Sequence, residues 1–296
     1  MPRTLRPRGP IPNTTIGQAE LFQTTGAFKV RGAFNKILSE LQHARRSGVV
    51  AVSGGNHAQA VAYAGRVLGC RTVVLTHRST PRNYLDATRG YGAEVIQLED
   101  ISEAFAKAHD YEEQGMLFVH PFDDPLVMAG QGTLGLEILE DVPGVTDVFV
   151  SIGGGGLMSG VAVAIRSQKN VRFRGVETEG ADATALSLAA GHPVEIRPSS
   201  IAQTLGAPSA APRTLAMAKE HLLSVTVVSD KEAVEALEIL LERAKVLTEP
   251  AASCTLAAAL RAKERFRPDC HIVLILCGGN LGVEDLCEYH AKFLER

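Results

Sequence analysis

Lys29 lies between Phe28 and Val30 in Gly26-Ala27-Phe28-Lys29-Val30-Arg31-Gly32-Ala33, just ahead of a helical run, Ala33 to Leu41. An ammonium among apolar neighbours loses hydration, which favours the free amine that imine chemistry with an aldehyde requires. A single lysine at a helix start is more often a solvated charge with its stem on apolar side chains. Lys29 gains weight only if the chain also supplies an anion cradle and a polar group for an aromatic ring. The cradle is Ser151-Ile152-Gly153-Gly154-Gly155-Gly156-Leu157, which follows a strand and opens a helix. Its glycines let backbone amides turn inward where the helix dipole favours an anion. A plain tight turn is the bland alternative, but four consecutive glycines cost more chain entropy than such a turn needs. The loop Ser53-Gly54-Gly55-Asn56-His57-Ala58-Gln59 has the same strand-to-helix setting. Its amides and the Ser53 hydroxyl suit a carboxylate, and Asn56 suits a phenolate-like oxygen. Ser53 or Asn56 also serves as a helix N-cap, and the His57 ring reads as structural. Cys277-Gly278-Gly279-Asn280 closes the last apolar strand, where ligands bind in open α/β sheets; the glycines admit a flat ring beside a neutral thiol.

Alternating short β-branched runs and amphipathic helices position these residues, which implies parallel strands with helical crossovers. Strands are predicted at 49–52, 72–76, 94–98, 116–119, 147–151, 171–176, 225–228 and 272–276. Helices are predicted at 33–41, 58–68, 81–91, 102–114, 134–140, 160–167, 182–190, 231–245, 251–263 and 283–294. Residues 1–25 read as an irregular lead-in, His43 to Arg46 as a basic turn, His120 to Pro125 as a hinge or loop, and 191–213 as loop-rich.

With 296 residues, 45% of them hydrophobic, the chain can bury a sizeable core in two α/β lobes. The net charge of −3 and the lack of a basic stripe with interleaved aromatics argue against a nucleic-acid partner. No apolar run has membrane-spanning length, and the basic N-terminus lacks the apolar core of a signal peptide. Five cysteines without a Cys-x-x-Cys pair fit neither a disulfide framework nor a zinc site. The expectation is a cytoplasmic enzyme.

These motifs, in this order, resemble the pyridoxal-phosphate-dependent serine/threonine dehydratases of the tryptophan-synthase-β-like fold (fold type II), a group that includes serine racemase. The likeness runs from about Glu20 to Cys287. It rests on Phe22 to Ala33, Ser53 to Gln59, Tyr91 to Val95, His120 to Asp123, Ala129 to Thr133, Gly153 to Leu157, Gly175 to Glu177 and Cys277 to Asn280. The resemblance implies a two-lobed α/β fold, each lobe a mostly parallel twisted sheet flanked by helices. Residues 1–38 and 126–296 would form the large cofactor-binding lobe, and 39–125 a small mobile lobe.

It further implies pyridoxal 5'-phosphate as cofactor, Lys29 as the Schiff-base lysine and proton-transferring base, and Phe28 flanking the ring. Asn56 would meet the ring oxygen, Gly153, Gly154, Gly155, Gly156 and Leu157 the phosphate, Cys277 the pyridine nitrogen, and Glu249 the ring edge. Ser53, Gly54, Gly55, Asn56 and His57 would bind substrate. The implied reaction is β-elimination of a β-hydroxy amino acid, such as L-threonine or L-serine, to a 2-oxo acid and ammonia, in a homodimer. Hydroxyaspartate and β-aryl serines are alternative substrates.

Racemases of the group carry serine where Gly54 stands, so elimination without efficient racemisation is expected. The usual serine two before the lysine is Ala27. Glu177 matches one acidic metal position, but Ala183 occupies the second, with Asp182 adjacent, and no metal is assigned. A shortened N-terminal layer and no regulatory domain are also expected. Two readings from other classes stand beside this one: a nicotinamide oxidoreductase and an inactive binding protein with the same fold. The first would use the glycine turn with Glu177 about twenty residues on, but the G-x-G-x-x-G spacing fails because Ser159 follows Gly154-x-Gly156.

Overall fold

The computed structural model describes residues 3–5 and 15–295. They form two compact units, one of residues up to Phe22 with those from Gly132 on, the other of Gln23 to Gln131. In chain order, β1 (Thr4–Leu5) and β2 (Thr15–Ala19) precede α1 (Lys29–Ser39), α2 (Leu41–Ser47), β3 (Val49–Val52) and α3 (Asn56–Leu68). Then come β4 (Thr72–His77), α4 (Arg82–Gly90), β5 (Glu94–Leu98), α5 (Ile101–Glu113), β6 (Leu117–Phe118) and α6 (Pro125–Asp141). After these follow β7 (Asp147–Ser151), α7 (Gly156–Arg166), β8 (Arg172–Thr178), α8 (Ala183–Ala190), α9 (Pro212–His221) and β9 (Leu222–Val228). The chain finishes with α10 (Asp230–Ile239), α11 (Pro250–Arg261), β10 (Ile272–Leu276) and α12 (Val283–Phe293).

The unit from Gln23 to Gln131 holds a parallel sheet in the order β5-β4-β3-β6. All four residues of β3 are buried, so they are apolar throughout rather than alternating with polar residues. Val49 and Ala51 pack on one face with Val30, Ala33, Ile37, Val61 and Ala64 of α1 and α3. Val50 and Val52 pack on the other with Ala104 and Ala108 of α5. Each fully buried valine contributes roughly 1.5–3 kcal/mol relative to exposure. The other unit holds the sheet β1-β2-β10-β7-β8-β9, parallel apart from the β1–β2 pair. Its core joins Ile272, Leu274 and Leu276 of β10 to Leu256, Ala257 and Ala258 of α11.

Several sequence expectations need correction. In the lead-in, residues 15–19 are strand β2, paired in register with β10 from Ile272↔Thr15 to Leu276↔Ala19; residues 1, 2 and 6–14 lie outside the described residues. The basic turn at His43–Arg46 is inside α2. Helix α6 begins at Pro125, nine residues before its expected start at Leu134. The loop-rich stretch runs directly into α9, a helix not expected from the sequence, which opens on Pro212 as its first residue. The helix expected over 231–245 is α-helical only to Ile239 and finishes as a π-turn over Leu240–Ala244, closed by Lys245 at φ 60°.

Candidate active site

Lys29 is the first residue of α1. Its Nζ donates to the Pro121 carbonyl at 2.7 Å and stands 5.1 Å from the centroid of the buried Phe28 ring. Helix α1 packs on α3, which begins at the buried Asn56 after Gly55 at the N-cap. Ser53 Oγ accepts from Gly55 N at 3.1 Å, tightening the turn before α3. Gly54 faces two hydroxyls: a Cβ there would stand 2.5 Å from Thr80 Oγ1 and 3.0 Å from Thr76 Oγ1. Those hydroxyls bond each other at 2.6 Å. The His57 ring is buried and its Nε2 donates to Val119 O at 2.8 Å. Burial, with the Lys29 charge second, pushes its pKa down to about 3, so the ring is neutral. The structure thus gathers Phe28, Lys29 and Ser53 to His57 in one unit. Sequence reasoning missed the Pro121 carbonyl, Thr76 and Thr80, since partners supplied by distant segments leave no local signal.

In the other unit β7 delivers the tetraglycine turn to the start of α7, whose N-cap Gly155 has φ +88° and no capping side chain. The first α7 amides therefore face no competing cap acceptor at that residue. A Cβ on Gly155 would stand 2.7 Å from Thr214 Cβ, and one on Gly153 would stand 3.2 Å from both Leu205 Cα and Thr204 O. Cys277 follows β10 and is buried; its Sγ accepts from Ser151 Oγ at 3.4 Å and approaches Ala251 O at 3.6 Å. Glu249, also buried, is the N-cap of α11, and its amide donates to Gly278 O at 3.2 Å. Gly153 to Leu157, Glu249 and Cys277 thus belong to this unit. Ser151 was visible as the first residue of the glycine motif, yet only the fold shows it beside Cys277.

Glu177, the acid considered for a ribose or a metal, is buried at the N-terminus of α8. Its two carboxylate oxygens accept from Thr184 N at 2.9 Å and Ala185 N at 2.8 Å. Burial raises its pKa to about 7 against the opposing pull of these amides. Protonated Glu177 is thus favoured in the fold. Its stabilising contribution is complete below the unfolded value of 4.5 and is lost as pH rises through about 7. Glu177→Gln stays neutral and is expected to flatten that decline by roughly 1–3 kcal/mol, whatever its absolute stability. Chemical denaturation of both proteins across this pH range checks it; equal slopes would contradict the assignment.

A family profile described as pyridoxal-phosphate dependent enzyme matches residues 16–278. The chain belongs to that family. It is 42% identical over 273 residues to the L-threonine ammonia-lyase of Geobacter sulfurreducens, covering 91% of this chain and 68% of that protein. It is 40% identical over 269 residues to the L-threonine ammonia-lyase of Thermotoga maritima, covering 89% of this chain and 66% of that protein. Maize serine racemase superposes with a TM-score of 0.86 at 33% identity, covering 95% of this chain and 87% of that structure.

The residues of this family member fit pyridoxal phosphate. A side chain on Gly155 would run into Thr214 and one on Gly153 would crowd Leu205 and Thr204, and the turn opens an 11-residue helix. That leaves backbone amides as its anion donors, as a phosphate requires. Lys29 is half-buried beside Phe28, where an aldehyde can meet a primary amine.

Proposed function

We propose that the chain catalyses β-elimination of a β-hydroxy amino acid, L-threonine or L-serine, to a 2-oxo acid and ammonia. The observation that carries this reading is Lys29, a half-buried amine on Phe28 and Pro121 in a chain 42% identical to an L-threonine ammonia-lyase. When bound, pyridoxal phosphate supplies an aldehyde for the substrate amine and an electron sink for the α-carbon. Lys29 Nζ holds the cofactor and takes the α proton from the substrate. The amides opening α3, with Ser53, Gly54, Gly55 and His57, hold the substrate carboxylate at a helix N-terminus, and Asn56 binds the ring oxygen. Gly153, Gly154, Gly155, Gly156 and Leu157 would take the phosphate, and Phe28, Glu249 and Cys277 would hold the ring. Loss of the α proton and of the β-hydroxyl leaves an enamine, which takes up water to give the oxo acid and ammonia.

Gly54 decides the stereochemical outcome. It offers no group that could return a proton on the face away from Lys29, and the space its side chain would need is occupied by Thr80 and Thr76. The test is a keto-acid assay on the holoenzyme with threonine, serine, hydroxyaspartate and a β-aryl serine, together with chiral analysis of the serine reaction. Keto acid from threonine or serine, with D-serine at least about tenfold slower than pyruvate, is the expected result. Silence across the whole panel would refute the elimination reading, and D-serine formed as fast as pyruvate would refute the role given to Gly54.

A further inference from the structure

The segment from Val119 to Asp124 reads as a loop, yet most of its backbone polar groups are engaged. Val119 N donates to Val50 O at 2.9 Å, and Val119 O accepts from His57 Nε2 at 2.8 Å. The His120 side chain turns forward along the chain, and its Nδ1 accepts from Phe122 N at 3.2 Å and Asp123 N at 2.8 Å. Pro121 has no N–H to place. Asp124 Oδ1 accepts from Leu126 N at 2.7 Å and Val127 N at 3.0 Å, opening α6, and its Oδ2 meets Lys36 Nζ at 3.2 Å. The Pro121 carbonyl is left facing the lysine amine at 2.7 Å.

We propose that His120 is a positioning residue for Lys29. Its imidazole folds the chain so that the Pro121 carbonyl holds Nζ whenever that nitrogen carries no covalent bond to the cofactor. The inference rests on the reading of Lys29 as the reactive amine. Backbone amides can only donate, so Nδ1 of His120 is the bare nitrogen and its proton sits on Nε2. The ring lies against Phe122 at 4.8 Å, Phe118 at 5.6 Å and Phe105 at 5.7 Å between centroids. Burial pushes its pKa down to about 4, against Asp123 and with the Lys29 charge, so it is uncharged at neutral pH.

Charge explains why a histidine stands there. A carboxylate caps two successive amides equally well, as Asp124 does a few residues on. Near Lys29, however, a carboxylate would stabilise the ammonium and withdraw the free amine that imine formation needs. A neutral imidazole shapes the loop without that electrostatic cost. The charged and titratable groups around the loop are Lys29, Lys36 with Glu40, His43, His57, His109 with Glu112, Asp123 and Asp124.

The experiment follows growth of the visible imine band when apoprotein is mixed with pyridoxal phosphate, as a function of pH. It compares the wild type with His120→Asn, His120→Asp and His120→Leu. Asn caps without charge and is expected within about twofold of the wild-type rate, with the same pH midpoint. Asp caps with charge and is expected to move the midpoint up by about one pH unit. Leu removes the cap and is expected to load about tenfold more slowly, from misplacement of the amine. If the Leu variant does not fold, the Asn–Asp pair still decides, together with the His120 tautomer read by nitrogen-15 NMR in the unaltered chain. Coincident Asn and Asp profiles, wild-type loading by the Leu variant, or a proton on His120 Nδ1 would each overturn the proposal. A wild-type chain that forms no band at all would instead overturn the assignment of Lys29.

Discussion

Lys29→Ala is expected to lower turnover by at least about 10³-fold, and Lys29→Arg by a similar factor, because a positioned base and a covalent anchor disappear together. The folded state should lose little. Lys29 is only half-buried, and its bond to Pro121 O is worth roughly 0.5–1.5 kcal/mol. Alanine is also a favourable helix residue at the start of α1. The arginine variant separates chemistry from packing. A guanidinium keeps a charge and donors for Pro121 O but stays protonated and forms no imine. A structural lysine would be rescued by arginine, whereas a reactive amine is not. Oxo-acid release and the visible spectrum of each variant check this, and an active, coloured Lys29→Arg would count against the mechanism.

Gly155→Ala is expected to weaken pyridoxal phosphate binding by about 10- to 100-fold, corresponding to roughly 1.4–2.8 kcal/mol. Two effects combine. At φ +88° an alanine pays about 1–2 kcal/mol in the left-handed region, and its Cβ would lie 2.7 Å from Thr214 Cβ, so the turn must move. Displacing the turn misdirects the amides that begin α7, which are the proposed phosphate donors. Gly191→Ala is the control: φ is +83° there, but nothing lies within 4 Å of the new Cβ. It should lower stability through the same backbone strain and leave cofactor affinity unchanged. Spectrophotometric titration of the two apoproteins measures the difference, and equal affinities would remove the phosphate role of the turn.

The contrast between these sites reflects how much of the molecule is written locally. The runs Val49–Val52, Glu94–Leu98, Asp147–Ser151 and Ile272–Leu276 are strands with the boundaries their apolar residues imply. The glycine turn and the Ser53–Gln59 loop were legible because strand, glycines and helix follow one another directly. Strand β2 was not, since Ile16-Gly17-Gln18-Ala19 has a weak local pattern and owes its conformation to β10, more than 250 residues away. The first turns of α6 were hidden by Gly130 and Gly132. These glycines are there for close approach: a Cβ on Gly130 would stand 2.5 Å from Arg31 O, and one on Gly132 3.0 Å from Gly160 O. Helix α2 escaped because only Ala44 is buried, so it has almost no apolar stripe. The acceptor for Lys29 is a main-chain oxygen, which residue type cannot announce.

The most direct test of the central claim is chemical. Holoprotein is reduced with borohydride, which turns an imine into a stable secondary amine, then digested and mapped by mass spectrometry. The account predicts the pyridoxyl group on the peptide containing Lys29, at that side chain and at no other lysine. A label on Lys36 or any other lysine, or an active protein that takes up no label, would contradict it.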